Sequence, residues 1–412
     1  MIYRALTGLA GAGLRAAAPL AGGNLRERLV LDEPPAMAGG IWLHAASVGE
    51  LNSARPVIAA LARARPVLVT TNTVTGRTVA QGWGLPARLA PLDVPGALSR
   101  FLSAVRPALL VTVENEIWPN RAARARARGI AQAVIGARMS ARSARGWGRA
   151  RGLVGPVLAG LDLLSAQDAG TEARLVALGL PQAAIAPRLN LKLLGPAAVV
   201  APADDPRRGR VWLAASTHPG EDAPVLAAHA RLRARFPDLR LILAPRHPRR
   251  ADEVAALVAA RGFPVARLGD RDLDAAGSPP VLIVDRLGVL AQAYAAAGVC
   301  LTGGSLADHG GHTPWEPAAY RCALLHGPHV ANFAGDYEAL DAAGAAAAVD
   351  AGTLADRLGA ILSDDTRRRT MGDAARAALD AAAPDPGPLI ARLLALAGPP
   401  PLARSPGQAD IG

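Results

Sequence analysis

Lysine is almost missing from this 412-residue chain: of its 45 basic residues 44 are arginine, and Lys192 is the single lysine. That shortage excludes whole classes of enzyme. A P-loop ATPase needs a lysine between glycine and serine or threonine, whereas Lys192 stands between Leu191 and Leu193. A protein kinase needs its strand lysine just after a glycine-rich loop, and none precedes this one. A merely solvated cation would be expected to drift to arginine with the other 44, so Lys192 is a candidate for a specific role at a crowded charged site, where the two cations are not interchangeable. Cysteine is scarce as well. Cys300 and Cys322 cannot build a disulfide framework or a zinc site alone, and both lie in apolar runs, so buried thiols are expected. Aromatic residues make up 3% and no nucleic-acid-binding motif is present, which argues against a nucleic-acid partner. Long uninterrupted apolar runs are too few for a multi-span membrane protein. A disordered chain is excluded too, with 51% apolar and only 19% charged residues.

The length favours two domains of about 200 residues each. Short β-rich runs alternate with Ala/Leu/Arg helical stretches, the pattern of parallel α/β sheets. Strands are expected at Ile41–Ala46, Pro66–Asn72, Ala108–Val113, Ala131–Ala137 and Leu161–Ala166. A second series is expected at Val211–Ser216, Leu239–Ala244, Val281–Val284, Gly298–Thr302 and Cys322–Leu325. Between the series, Pro187–Pro206 reads as a linker. Two Rossmann-like domains facing each other across a cleft follow, with one helix and a Pro/Gly-rich tail after Pro384. The first 23 residues are apolar but broken by Arg4 and Arg15, with no small-residue cleavage site followed by a polar mature start. They read as an amphipathic helix on a membrane surface, or, more plainly, as a buried helix.

Charge is uneven. The net charge is +11, and between Ile117 and Leu161 nine arginines (Arg121, Arg124, Arg126, Arg128, Arg138, Arg142, Arg145, Arg149, Arg151) meet no acid. This is either a solvated helix face or a surface for an anionic partner. Polar residues gather where the expected strands end, the side on which open α/β sheets bind ligands. His44, Ser47 and Glu50 follow the first strand, and Glu114 and Glu116 the third, where alternation would point both acids to one side. Ser216, Thr217 and His218, then Arg246 and His247, then Gly303, Gly304 and Ser305 follow strands of the second series. Glu50 enters a helix's first turn, as an N-terminal cap or as a general base. The run from Gly303 to Pro317 is a glycine-rich loop leading to a helix start, suited to a phosphate, with Glu316 placed for ribose hydroxyls or as a cap. Gly11 to Ala16 matches a dinucleotide fingerprint but has no strand before it and is rejected. Asp270-Arg271-Asp272 and the group Asp308, His309, His312 are weak metal candidates beside tight-turn readings.

The ordered runs HAASVGE (44–50), TNTVTG (71–76), PLDVPGALSRFL (91–102), ENEIWPN (114–120), ARMSARS (137–143), NLK (190–192), ASTHPGE (215–221), APRHP (244–248), GGS to GGHTPWEP (303–317) and GPHVANF (327–333) resemble the 3-deoxy-D-manno-octulosonic acid (Kdo) transferases of lipopolysaccharide synthesis. The resemblance runs from about Arg26 to the last helix. It implies the GT-B glycosyltransferase fold, no metal or other cofactor, CMP-Kdo as donor and the phosphorylated lipid A precursor as acceptor. It also implies inversion, and work at the cytoplasmic face of the inner membrane, with its anionic surface as a partner. By position Glu50 matches the general base, and Glu114 and Lys192 the transition-state stabilising residues. Pro245-Arg246, Gly288-Val289-Leu290 and Pro314-Trp315-Glu316-Pro317 match the CMP-contacting segments. The family usually has Glu where Val289 stands and Asn where Thr313 stands. Its Gly before and Asp after the NLK run are Leu189 and Leu194 here.

The division implied is a membrane-associating segment (1–25), an acceptor domain (26–190), a nucleotide-sugar domain (191–384) and a terminal helix with tail (385–412). Two other readings stay open: a GT-B enzyme using a UDP-sugar on another lipid carrier, and a basic binding protein without catalysis.

Overall fold

A computed structural model describes residues 2–17, 22–114, 116–203, 205–273, 277 and 279–399. Asn115 of the ENEIWPN run, residues 18–21 of the N-terminal segment and the Pro/Gly-rich tail beyond residue 399 lie outside the described residues. The chain divides into two compact units, one of Met1–Gly195 with Pro384–Gly412, the other of Pro196–Ala383.

The first unit is built on six parallel strands: β1 (Ile41–His44), β2 (Val67–Thr71), β3 (Ala87–Leu89), β4 (Leu109–Val113), β5 (Ala131–Ala137) and β6 (Leu163–Ala166), in the order β3-β2-β1-β4-β5-β6. Helices cover both faces, so the strands are apolar almost throughout. On β1, Ile41 and Leu43 join the cluster under helices Val48–Ala64 and Gly387–Leu396. Trp42 points the other way, against Phe101 of helix Pro95–Val105 with ring centroids 4.5 Å apart. His44 shares the Trp42 side by the two-residue period.

This packing corrects the expected boundaries. Leu191 and Leu194 belong to the first sheet's cluster, so the NLK segment and its helix Leu191–Ala197 start in the first unit, not the second. Leu389 and Leu393 of the terminal helix enter the same cluster, and Arg65 donates to the carbonyls of Gly39 and Gly398. The last helix is therefore part of the first unit's core rather than an appendage.

The second unit carries seven parallel strands: β7 (Val211–Thr217), β8 (Arg240–Pro245), β9 (Ala266–Arg267), β10 (Val281–Ile283), β11 (Val299–Thr302), β12 (Ala323–His326) and β13 (Ala346–Ala348), in the order β13-β12-β11-β7-β8-β10-β9. The strand order reverses between β1 and β4 in the first sheet and between β7 and β11 in the second, where β10 is also inserted between β8 and the edge strand β9. Such reversals open a crevice at the strands' carboxyl ends.

The N-terminal segment forms helix Ile2–Ala17. It is docked along one side: the Tyr3 hydroxyl donates to Asp93 (2.9 Å), Asn120 donates to Thr7 (2.8 Å), and a side chain at Gly11 would strike Val94. Leu6 and Leu9 face outward, 62% and 74% exposed. No helix among the described residues is long and apolar enough to cross a membrane.

Candidate active site

Glu50 sits in the first turn of helix Val48–Ala64, directly after the β1 end of the first reversal. Ser47 caps the helix by accepting from the Glu50 amide at 3.3 Å. The Glu50 carboxylate reaches back to accept from the Ala46 amide (2.6 Å) and the Ser47 hydroxyl (3.3 Å), a reciprocal arrangement close to a capping box. The capping contact is thus present, and it holds the carboxylate in one orientation. Burial raises the Glu50 pKa above the usual carboxylate value; the Ala46 amide opposes this, and the charges of Glu114 and Glu116 add to it. Three acids therefore converge at this strand end.

The two partner acids differ. Glu114 follows β4 with φ of +57°, in the left-handed region that a non-glycine residue enters only at a cost of about 1 kcal/mol or more. The strand has ended at Val113, so strand alternation no longer governs Glu114 and Glu116. Glu116 is gripped. Its carboxylate accepts from the Trp118 indole and from Asn72 (3.3 Å), and Arg121 binds its carbonyl at 2.8 Å. Burial alone would raise its pKa, but His44, Trp118 and Arg121 together draw it down to about 2. His44 is fully buried, with Nε2 3.5 Å from Glu116. Trp42 donates to the Thr70 hydroxyl (2.8 Å), which lies 3.0 Å from His44 Nδ1; the tautomer with its proton on Nε2 would donate toward Glu116. Burial, with Arg121 nearby, lowers the His44 pKa to about 4, so the ring is neutral at pH 7.

Arg121 corrects the reading of the basic stretch as one uniform surface. It is buried, placed by Asp93, which accepts from the amides of Asn120 (3.1 Å) and Arg121 (2.7 Å) at the start of helix Pro119–Arg126. Arg138, Arg142, Arg145 and Arg149 are exposed and, among the described residues, meet no acid. Lys192 is exposed on helix Leu191–Ala197, its amide donating to Asn190 at 3.2 Å. Among the described residues the structure records no contact between its ammonium and the three glutamates.

In the second unit the three segments matched to CMP contacts draw together. Gly288 (φ +86°) turns the chain into helix Leu290–Ala296, with Val289 buried at its N-cap. Tyr294 of that helix donates to Glu316 at 3.3 Å, joining this segment to Pro314–Pro317. Close packing raises the Glu316 pKa, opposed by Tyr294 and by Arg246, which follows Pro245 at the end of β8. Trp315 and Pro317 are buried and hold helix Trp315–Ala319 in place.

The glycine-rich loop does something the sequence did not reveal. Its amide groups were expected to receive a phosphate, yet those of Gly304 (2.7 Å), Ser305 (2.9 Å), Leu306 (2.8 Å) and Ala307 (3.3 Å) all donate to the fully buried carboxylate of Glu221, as does His218 N (2.8 Å). An internal acid occupies the cradle. The STHPGE run contained Glu221, but nothing in its spacing announced partners more than 80 residues away. Gly303 packs against β7 so closely that a Cβ would lie 2.4 Å from the Ser216 carbonyl. Asp308 pairs with His329 (3.7 Å) and His309 stacks on His218, so the weak metal candidates do not converge; no metal-holding group of three or more ligands occurs among the described residues.

Residues 23–194 match the family model for 3-deoxy-D-manno-octulosonic-acid transferase (kdotransferase). The 3-deoxy-D-manno-octulosonic acid transferase of Bordetella pertussis is 38% identical over 366 residues, 84% of each chain. The chain belongs to the Kdo transferase family. The Haemophilus influenzae Kdo transferase is 33% identical over 311 residues, 71% of this chain and 72% of the relative. Among solved structures, a glycosyltransferase from Rickettsia africae superposes with a TM-score of 0.54 at 12% identity, over 87% of this chain and 97% of that one, a likeness of fold. The Kdo transferase fold here is accordingly GT-B, two parallel-sheet α/β units.

Proposed function

We propose that this Kdo transferase moves Kdo from CMP-Kdo to a hydroxyl of the phosphorylated lipid A precursor, with inversion at the anomeric carbon. The observation that carries the reading is Glu50: a half-buried carboxylate of raised pKa, held by Ala46 and Ser47 at a sheet reversal, in the position of the family's base. A raised pKa strengthens a carboxylate as a proton acceptor. Glu50 takes the proton of the acceptor hydroxyl as that oxygen forms its bond to the anomeric carbon and the bond to the CMP phosphate breaks. Glu114 and Lys192 stabilise the charge that develops. Pro245, Arg246, Gly288, Val289, Leu290 and Pro314 to Pro317 hold the nucleotide. Glu316 accepts from ribose hydroxyls, and the Arg246 guanidinium meets the phosphate. No metal has a role in this reading.

The exposed arginines of residues 138–149 and the outward Leu6 and Leu9 support a work site on an anionic membrane, at the inner membrane's cytoplasmic face. The test is product mass. Incubation with CMP-Kdo, generated in situ, and detergent-dispersed precursor is expected to add one or more Kdo masses, unchanged by EDTA. No product from folded enzyme, together with thermal protection by UDP but not CMP, would overturn the donor assignment.

A further inference from the structure

Four imidazoles gather at the reversal of the second sheet. His218 follows β7, His247 follows β8, and His309 and His312 lie in the loop after β11. His218 and His312 touch Nε2 to Nε2 at 2.9 Å with rings 17° from parallel; His309 stacks on His218 with centroids 4.1 Å apart, and His247 meets it edge-on at 6.3 Å. Gly304, at φ +68°, leaves room for these rings: a Cβ there would come within 3.5 Å of both His312 and His218. The pair is half-buried, while His309 and His247 open to solvent.

Among the described residues, each acid near these rings faces another partner. Glu221 spends its charge on five amides. Asp222 is locked to Arg250 (2.5 Å) and Thr217 (2.6 Å), Asp308 faces His329, and Glu316 is bound by Tyr294. The remaining neighbour is the Arg246 cation. Burial, the other imidazoles and Arg246 lower the pKa of His218, and His312 falls to about 4, against the partial opposition of Glu221. The cluster therefore has proton sites whose nearby carboxylate, Glu221, is shared with five amides, and an incoming anion would supply a further counter-charge.

We propose that the His218–His312 pair, with His309 stacked on it, seats an anionic group of the donor and takes up one proton from solvent when that anion binds. The proposal rests on the donor reading above. The limit of one proton follows from the 2.9 Å contact. With both rings neutral, one Nε2–H donates to the other's Nε2 lone pair. A proton from the buffer then adds to Nδ1 of the donating ring, giving an imidazolium whose Nε2–H bond to its neighbour is strengthened by charge. A second would set two N–H groups against each other. The charge stands ready as the phosphate leaves.

The test is calorimetric titration of the full chain with CMP at about pH 7.5, where a phosphate monoester is mostly dianionic, in buffers of different ionisation enthalpy. Buffer dependence corresponding to uptake of up to one proton is expected, absent with cytidine and lost in the H218N/H312N double variant. CMP binding without buffer dependence, or with equal uptake in a folded double variant, overturns the proposal and leaves the donor reading intact. Should that variant fail to fold, ring nitrogen spectra of the unaltered chain decide: CMP is expected to move one of its histidines to the imidazolium position, and none moving overturns the proposal. If UDP rather than CMP binds with the same uptake, the donor reading fails and the anion seat stands. If neither binds, both fall.

Discussion

At the scale of single residues, the capping contacts of Glu50 and its proposed role as base, two readings that the sequence set against each other, are compatible. Its contacts with Ala46 and Ser47 are those of a cap, and the same contacts fix the carboxylate for proton transfer. Only the ionised form accepts a proton, so the rate should fall as pH drops through its raised pKa, placing the acid limb above the ordinary carboxylate range. Removing a neighbouring negative charge should lower that pKa. In Glu114→Gln the acid limb of kcat/KM is therefore expected to move to lower pH, whatever the loss in absolute rate; an unmoved limb would separate Glu114 from Glu50. Glu221 gives a second residue-level expectation. Glutamine offers one acceptor oxygen to five amides and turns an N–H group toward them, so Glu221→Gln should cost about 3 kcal/mol. A denaturant midpoint equal to wild type would contradict the cradle. Glu50 was legible because its motif names it. Glu221 was not, since its partners are backbone groups from a distant loop that any side chains could have carried.

Among the elements, the central strands and the edge strand β6 were legible, and the other edge strands were not. β3, β9 and β13 are two or three residues long and stand at sheet edges, too short for a run of apolar residues to mark them. The helix Leu191–Ala197 was hidden because prolines around it, and Pro196 within it, read as a linker, although Leu191, Leu193 and Leu194 are buried. Elements also carry the acid sensitivity. On helix Asp222–Arg233, His229 accepts from Trp212 of β7 (3.1 Å) and lies 2.9 Å from the Pro280 carbonyl; burial lowers its pKa to about 4. His44 on β1 is lowered to about 4 likewise. Between the ordinary value of 6.5 and about 4 the unfolded chain binds more protons than the folded one. Stability is thus full above that window and is lost as pH falls through it, by up to about 3 kcal/mol per histidine. Glu116, held down at about 2, adds a further loss below its ordinary range. The melting temperature should decline steadily below about pH 6.5; a flat profile down to pH 5 would contradict the buried neutral rings.

For the whole molecule, the chain returns at Pro384 to complete the first unit, so truncation before the last helix would strip Leu389 and Leu393 from that core. The class of protein was readable because ten motifs survive a composition dominated by alanine and arginine, whereas the unit boundaries depended on which leucines pack where. The exposed Leu6 and Leu9, with the unpaired arginines of residues 138–149, predict binding to vesicles rich in anionic lipid. L6S/L9S should weaken it at least about tenfold, as expected for two leucines kept from the bilayer; unchanged partition would remove the helix from the membrane assignment. On the proposed reading Glu50 is the base of Kdo transfer. Its most direct test is the single-turnover rate of Kdo transfer from CMP-Kdo to the lipid A precursor by wild type and Glu50→Gln, each checked for native melting. A fall of about 100-fold or more is expected in the variant. A folded Glu50→Gln enzyme within a few-fold of wild type would contradict it.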